Sequence, residues 1–262
     1  HLLYARFFTR ALNKCGYLDV KEPFKRLMTQ GMVCHETYRL EDGTWVEPSQ
    51  VVMNDDKSLT HFETGQKVIR GRSEKMSKSK KNVVDPEDII NEYGADTARL
   101  SMMSDSPPDR GLEWSESGIQ GTWKFINRLW RFVNSASEVV KGAQIPASIE
   151  GDDLKLRQLV HKTIQDVTQD IERFHFNKYV ARVRELTNTL FNLDLETVNH
   201  GVVHEAIETV IILMNPVTPH FAEECWRVMG HQTDLVREAW PTADTSLIQN
   251  DVVTLAVQVN GK

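Results

Sequence analysis

The spacing of hydrophobic and polar residues predicts helices over most of this chain. Apolar residues recur near a 3.6-residue period over 2–15, which predicts an amphipathic helix that ends at Gly16. From residue 115 onward, the pattern predicts five longer helical segments with mostly short connections. These segments are 115–140, 152–174, 177–191, 202–215 and 219–229, with a linker at 142–151. Five consecutive helices with short connections predict a helix bundle.

The region between residues 33 and 70 has a different pattern, which predicts a small β-rich part. Two strands are expected, at 33–40 and 44–53, because both runs flank Asp42-Gly43, a dipeptide typical of hairpin turns. A second turn is expected at 54–57. The fold class that follows is mainly α with a smaller α/β part.

Two short helices are predicted between the β-rich part and the bundle. The first covers 86–93, with Asp85 as its N-cap and Pro86 at the first helical position. The second runs from about 95 to 103 and must end before Pro107-Pro108, since proline lacks the amide that a helix needs. Asp96 and Arg99 on this helix are expected to pair locally.

Composition narrows the class of protein. At 262 residues with 40% hydrophobic and 26% charged residues, the chain has the composition of an ordinary globular protein. No apolar run is long enough to cross a bilayer, so no membrane partner is expected. The three cysteines lie far apart without a CxxC pair, which favours free thiols in a reducing cytoplasm over disulfides or a zinc site. The chain is expected to be a fragment of a larger protein, cut at both ends, because it starts inside a predicted helix and ends on the strand-like run 252–259.

One short segment stands out by its charge: Lys75-Met76-Ser77-Lys78-Ser79, hereafter the lysine–serine segment. Seven basic residues and a single acid, Glu74, lie between residues 67 and 81 of a chain whose net charge is −6. Short lysine runs are usually solvated surface. Here, however, hydroxyls alternate with ammonium groups, and the segment leads into the Asp85-Pro86 helix start, where backbone amides favour anions. The pattern therefore indicates a phosphate site.

These residues carry a resemblance to a known family. The lysine–serine segment resembles the second signature of class I aminoacyl-tRNA synthetases, the loop that closes over the phosphates of ATP. The flanking blocks resemble bacterial leucyl-tRNA synthetases over essentially the whole chain. These blocks are 1–8, 30–33, 93–99, 215–220 and 257–262.

The resemblance implies a fold, a domain division and a reaction. The implied fold is the end of a Rossmann-like class I catalytic domain followed by a helix bundle. The implied parts are 1–74, the end of the catalytic domain; 75–114, the phosphate loop and a helical connector; 115–243, an anticodon-binding-type bundle; and 244–262, a linker with the first strand of a truncated domain. The implied reaction joins leucine to ATP, releases pyrophosphate and transfers leucine to tRNA(Leu), in a cytoplasmic, monomeric enzyme that uses ATP with Mg²⁺.

The resemblance also assigns site residues. Lys78 matches the lysine that stabilises the leaving pyrophosphate, and Lys75 the one that aids loop closure, while Ser77 and Ser79 shape the loop. Met32 and Val33, after Gly31, match the backbone that reads adenine, and His1 matches a residue of the adenylate pocket. We expect no protein-bound metal: His200 and His204 have the spacing of zinc peptidases, but Gly201 stands where those enzymes need glutamate.

The first bundle helix offers a candidate RNA surface. Lys124, Arg128 and Arg131 form one cationic stripe, which suits phosphate contacts without sequence reading. Trp123 and Trp130 beside it are expected in the core, whereas the basic residues between Arg173 and Arg184 are expected on a mixed, solvated face.

Three alternatives remain open from the residues alone. The chain could be a non-catalytic tRNA-binding module, a helical scaffold, or part of a synthetase for isoleucine, valine or methionine. The fragment by itself is expected to be inactive, because half of the nucleotide site would lie outside it.

Overall fold

The computed structural model describes residues 1–248 and consists of nine α-helices and six β-strands within that range. Residues 249–262, including the strand-like run 252–259, lie outside the described part. The helices are α1 Tyr4–Lys14, α2 Pro86–Tyr93, α3 Ala95–Asp105, α4 Glu116–Val140, α5 Gly151–Glu172, α6 Phe176–Leu190, α7 His200–Met214, α8 Pro219–Val228 and α9 Thr245–Ile248. The strands are β1 Val33–Leu40, β2 Trp45–Val46, β3 Val51–Met53, β4 Leu59–His61, β5 Val68–Lys75 and β6 Leu112–Glu113. The mainly α class is confirmed.

The capping residues act as the sequence predicts. The Ser115 hydroxyl accepts a hydrogen bond from the Gly118 amide at the start of α4, and the Asp85 carboxylate accepts one from the Glu87 amide at the start of α2. Each bond pairs an amide that has no partner inside its own helix. Gly16 has a φ of +80° just after α1, a conformation that glycine adopts without steric cost.

A small sheet precedes the lysine–serine segment. Strand β1 pairs antiparallel with β5 along most of its length, and the register places Cys34 opposite Lys75. On its other side, β1 pairs with β2 near its end and with β6 near its beginning. Strand β6 therefore fixes the connection into α4 against the strand from which the lysine–serine segment emerges.

The predicted strand 44–53 is wrong as a single element. A one-turn 3₁₀ helix, Pro48–Gln50, separates β2 from β3, and β3 pairs with β4 in a second, two-stranded sheet. Pro48 has no amide for a strand ladder, and the Gln50 side chain accepts from the Glu47 amide to cap the turn.

The main hydrophobic core lies in the helix bundle. Its fully buried side chains come from α3 to α8 and include Leu100, Leu129, Val183, Ile207 and Met214. Because Leu100 of α3 belongs to this core, the connector packs as part of the bundle. None of the helices within residues 1–248 has the length and apolar character to cross a bilayer.

The expected local pair of Asp96 and Arg99 is wrong, because Arg99 binds the turn between α7 and α8, whereas Asp96 binds the first turn of α8. The Arg99 guanidinium donates to the carbonyl oxygens of Val217 and Pro216, at 2.9 and 2.8 Å. Asp96 accepts from the start of α8. The side chain of His220 is 80% exposed and contacts Asp96.

The lysine–serine segment and the first bundle helix

Lys75 is the last residue of β5, so the lysine–serine segment begins on a strand and continues into a tight turn. The Met76 amide donates to the Val33 carbonyl at 3.1 Å, which extends the pairing with β1 by one residue. Ser77 then caps a one-turn 3₁₀ helix, Lys78–Lys80, and its hydroxyl accepts from the Lys80 amide at 3.3 Å. Strand and turn together hold Lys75 and Lys78 close to the start of β1.

Two hydroxyls of the segment face one another. Ser77 Oγ and Ser79 Oγ lie 3.0 Å apart, and one donates to the other. Ser77 thus bonds to both the backbone and the second serine. The structure is consistent with the expectation that these serines shape the turn.

The positive charge of this region is smaller than the sequence suggests. Lys80 forms an ion pair with Glu74, Arg70 lies 3.4 Å from Glu36 on β1, and Lys67 lies 3.7 Å from a Glu41 oxygen. Within residues 1–248, the cations of this region that form no ion pair are Arg72, Lys75, Lys78 and Lys81. Between residues 67 and 81, Glu74 is the single acid. The other two acids, Glu36 on β1 and Glu41 just after it, come close to this region only through the pairing of β1 with β5.

The start of α2 is not an open anion site, contrary to the expectation from the sequence. The Asp85 carboxylate occupies it, with Oδ1 accepting from the Glu87 amide at 2.9 Å. Glu87 and Asp88 add negative charge to the first turn. A phosphate at this end would meet three carboxylates, so any anion site here must use the lysines instead.

Asn82 organises this turn, and the sequence reading missed it. Its side chain is completely buried. The side-chain oxygen accepts from the Ser77 amide at 2.9 Å, and the side-chain nitrogen donates to the carbonyls of His35 and Glu74, both at 3.1 Å. In the sequence, Asn82 is marked only as an asparagine that follows a run of cations, and asparagine is a residue typical of turns.

Val33 lies beside the lysine–serine segment, where its carbonyl oxygen accepts from the Met76 amide, and Gly31 lies against the backbone of Arg110. A β-carbon on Gly31 would lie 1.8 Å from the Arg110 carbonyl oxygen. Glycine is therefore required there by the close approach of the chain's own backbone. The Met32 carbonyl accepts from the Leu112 amide at 2.9 Å, and the Met32 side chain is exposed.

His1 lies near the other aromatic residues of the N-terminal region. Its ring contacts Phe24 edge-on, with the centroids 5.9 Å apart. The structure thus brings together Lys75, Ser77, Lys78, Ser79 and Val33, while the contact it gives His1 is with Phe24.

The three cations of the α4 stripe differ in the contacts that their side chains make. Lys124 and Arg131 are exposed, and the Arg131 guanidinium donates to the Asn127 carbonyl at 3.2 Å. The Arg128 guanidinium lies over the Phe191 ring, 4.2 Å from its centroid, in a cation–π contact. Arg128 therefore also has a packing role.

The prediction that the neighbouring tryptophans lie in the core is wrong. Trp123 is 42% exposed and Trp130 is 36% exposed, and Trp130 contacts Phe221 edge-on. The buried face of α4 is instead formed by Ile119, Leu129 and Val133 among others. The true buried stripe is shifted around the helix from the one the tryptophans suggested.

The expected solvated face holds for Arg173 and Lys178, which are exposed, and is wrong for Arg182 and Arg184. Arg182 pairs with Asp166 at 2.8 Å and Asp170 at 2.7 Å. The Arg184 guanidinium lies over the Phe125 ring, and burial lowers its pKa from the ordinary value. These two side chains join α6 to its neighbours.

The histidines of α7 have protein partners. His200 Nε2 lies 2.8 Å from the Leu195 carbonyl oxygen, and His204 lies 3.5 Å from Glu208. Among residues 1–248, no cluster of three or more histidine, cysteine, aspartate or glutamate side chains has the arrangement of a metal site.

Comparisons with known proteins agree with the positions of these features. Residues 65–115 match the family model described as tRNA synthetases class I (I, L, M and V), which includes the lysine–serine segment. Residues 153–262 match the model described as the anticodon-binding domain of tRNA ligase.

Alignments to curated relatives cover the whole of this chain. It is 56% identical over 263 aligned residues to the leucine–tRNA ligase of Paramagnetospirillum magneticum and 51% identical over 265 to that of Rhodospirillum rubrum. All of this chain is covered in both cases, but only 30% and 31% of the relatives. The chain thus spans about a third of the length of the relatives it matches.

A solved structure supports the same relationship. It is the ternary complex of agnB2 LeuRS, tRNA and LeuAMS from Agrobacterium radiobacter K84, with a TM-score of 0.72 and 27% sequence identity. The match covers 95% of this chain and 28% of that one. The chain is therefore homologous over its length to a segment of leucine–tRNA ligases.

Proposed function

We propose that this chain, homologous throughout to leucine–tRNA ligases, is the segment of such an enzyme that carries the ATP-phosphate loop and the tRNA-binding helix bundle. The complete enzyme activates leucine with ATP to leucyl-adenylate and pyrophosphate, and then transfers leucine to tRNA(Leu). The observation that carries this proposal is the placement of Lys75 and Lys78. Lys75 lies opposite Cys34 at the start of β1, and Lys78 lies in the turn that follows. Neither forms an ion pair within residues 1–248, and both fall inside the segment that matches class I synthetases.

The proposal also divides the chain into four parts. Residues 1–74 end the catalytic domain, 75–114 form the phosphate loop and connector, 115–243 form the bundle, and 244–262 link to a further domain. The match of 153–262 to an anticodon-binding model supports the bundle assignment. We expect this segment alone to be inactive, because it spans about a third of its relatives.

In this reaction, negative charge develops on the pyrophosphate as it leaves the α-phosphorus. Positioned ammonium groups stabilise that charge, and positioning with electrostatic stabilisation accounts for most of the catalysis in such transfers. Lys78 is the residue we assign to the β- and γ-phosphates, and Lys75 to closing the loop on them. Lys80 is less suited, because Glu74 already neutralises it.

Adenine recognition is assigned to the backbone at Met32 and Val33, and His1 to the adenylate pocket. Val33 supports this assignment because its carbonyl contacts the first residue after Lys75. Mg²⁺ would reach the site bound to the phosphates of ATP, as Mg²⁺ keeps water and phosphate ligands. We place the enzyme in the cytoplasm as a monomer.

The test is leucine-dependent ATP–pyrophosphate exchange by the intact ligase. We expect Lys78→Ala to lower the exchange rate by orders of magnitude. The matched control is Lys67→Ala, at the far end of the same strand region, where the side chain is exposed and lies 3.7 Å from Glu41. A normal exchange rate for Lys78→Ala would contradict the proposal.

A further inference from the structure

In the phosphate-loop region, the side chain of Asn82 has hydrogen-bond partners for both its oxygen and its nitrogen. It is fully buried, and its carboxamide makes three hydrogen bonds of 2.9 to 3.1 Å and a longer one, 3.5 Å, to the Lys75 carbonyl oxygen. The partners fix the orientation of the carboxamide. The backbone amide of Ser77 requires the oxygen on its side, and the carbonyls of His35 and Glu74 require the nitrogen on theirs. No other residue type places one acceptor and two donors on so short a side chain.

These bonds connect three separate parts of the chain. The oxygen holds Ser77, where the lysine–serine segment leaves β5, and the nitrogen holds the carbonyls of Glu74 on β5 and His35 on β1. The Asn82 side chain therefore links the two ends of the turn 77–82 and ties this turn to β1 and β5. Lys78 lies between the two points that are held.

We propose that Asn82 is a positioning residue for the phosphate-binding lysine, and that it acts by fixing both ends of the turn that carries Lys78. This inference rests on the proposed function. Asn82 is buried beneath the turn, so it acts through the backbone and contacts no nucleotide. Its contribution is geometric, because an ammonium group stabilises the leaving pyrophosphate only from the correct place, and a displacement of about 1 Å can cost roughly a hundredfold in rate.

Two nearby features accord with this role. Lys81, just before Asn82, has a φ of +55°, a left-handed conformation that a lysine adopts only when its surroundings impose it. The ion pair of Lys80 with Glu74 ties the outer side of the turn to β5. That pair is partly exposed and weak in water, so the buried amide is the stronger constraint.

The proposal predicts a specific kinetic pattern in the intact ligase. We expect Asn82→Ala to raise the KM for ATP at least fivefold and to lower kcat per active site at least tenfold in pyrophosphate exchange, with the KM for leucine within twofold. A reduced folded fraction would lower the apparent rate but would leave the KM for ATP unchanged. The control is Asn192→Ala, which removes an exposed carboxamide that, within residues 1–248, bonds to the Asn188 carbonyl alone.

A second variant covers the case in which Asn82→Ala does not fold. Asn82→Asp keeps an oxygen for the Ser77 amide but replaces the donors to His35 and Glu74 with a second oxygen. We expect its KM for ATP to rise as well. Hydrogen exchange on the 262-residue chain adds a direct measure, with the Ser77 amide exchanging at least tenfold faster in Asn82→Ala than in the unaltered chain.

The outcomes separate this inference from the proposed function. If both Asn82 variants keep ATP KM and kcat within twofold of the unaltered enzyme while Lys78→Ala is impaired, the positioning role is refuted and the phosphate loop stands. If Lys78→Ala is also unimpaired, the phosphate-loop assignment itself fails.

Discussion

The Phe221 amide donates a hydrogen bond of 2.6 Å to Oδ2 of Asp96, which joins the start of α8 to a helix far away in the sequence. The other carboxylate oxygen lies 3.0 Å from His220 Nδ1. Thr218, the residue before α8, makes no capping bond with its side chain. Asp96 thus caps α8 from outside. Because α3 follows the lysine–serine segment through α2, this bond holds α3 against the bundle.

We expect Asp96→Ala to lower the free energy of unfolding by about 1–2 kcal/mol, the usual effect of losing a helix cap. The substitution leaves the Phe221 amide, whose bond to Asp96 is partly buried, without its partner. Urea denaturation of the 262-residue chain measures this effect. Asp109→Ala, at an exposed aspartate in the loop after α3, is the control and should change stability by less than about 0.5 kcal/mol. Equal stabilities for the two variants would contradict the capping role.

The left-handed backbone at Lys81 gives a second prediction. A residue with a β-carbon pays roughly 1–2 kcal/mol in this conformation, and glycine does not. Lys81→Gly should therefore raise the unfolding free energy by up to about 1 kcal/mol, since glycine also gains entropy in the unfolded chain. Thermal and urea unfolding measure the change. Lys81→Ala separates charge from backbone: it removes the ammonium group but keeps the β-carbon, so it should give no comparable gain.

The carboxylate of Glu205 makes the stability of the bundle depend on pH. Burial alone would raise its pKa, but hydrogen bonds from His161 and Arg157 outweigh burial and hold the pKa below the ordinary 4.5. The folded state thus binds fewer protons than the unfolded state in the interval below 4.5. The stabilisation is complete above that pH and is lost as pH falls through the folded pKa.

Glu205→Gln should remove this dependence. We expect a loss of about 1–2 kcal/mol in unfolding free energy at pH 7, where the charged hydrogen bonds are intact, and a smaller loss near pH 3. Urea unfolding at a series of pH values measures both. Glu138→Gln, on the exposed side of α4, serves as the control and should follow the unaltered protein throughout. A parallel pH profile for Glu205→Gln would show that the carboxylate has no such role.

The exposed cations of α4 give a prediction about tRNA. Each phosphate contact adds about 0.7–0.9 to the slope of log affinity against log salt concentration. We therefore expect Lys124→Ala with Arg131→Ala to weaken tRNA binding and to lower that slope by about 1–2. Lys155→Ala, which removes an exposed lysine paired with Asp152 on α5, should leave the slope unchanged. Arg128→Ala should also lower stability, because the guanidinium packs on Phe191.

The sequence by itself determined most of the helices and the family resemblance of the lysine–serine segment. Helices α2 and α4 begin where Asp85 and Ser115 place a side-chain acceptor, because capping is a local interaction within three residues. The helix bundle followed from period and connection length, which are also local properties. The match of the lysine–serine segment to a family signature required only the order of residues.

The tertiary structure alone decided which charges and polar groups meet. Glu36 on β1 pairs with Arg70 across the sheet, and the carboxylate of Asp96 meets the amide of Phe221 from a distant helix. Asn82 became an anchor only when β1 and β5 brought two carbonyls to its side chain. Local patterns cannot show these pairings, because partners distant along the chain become neighbours only when packing fixes the sheet register and the helix contacts.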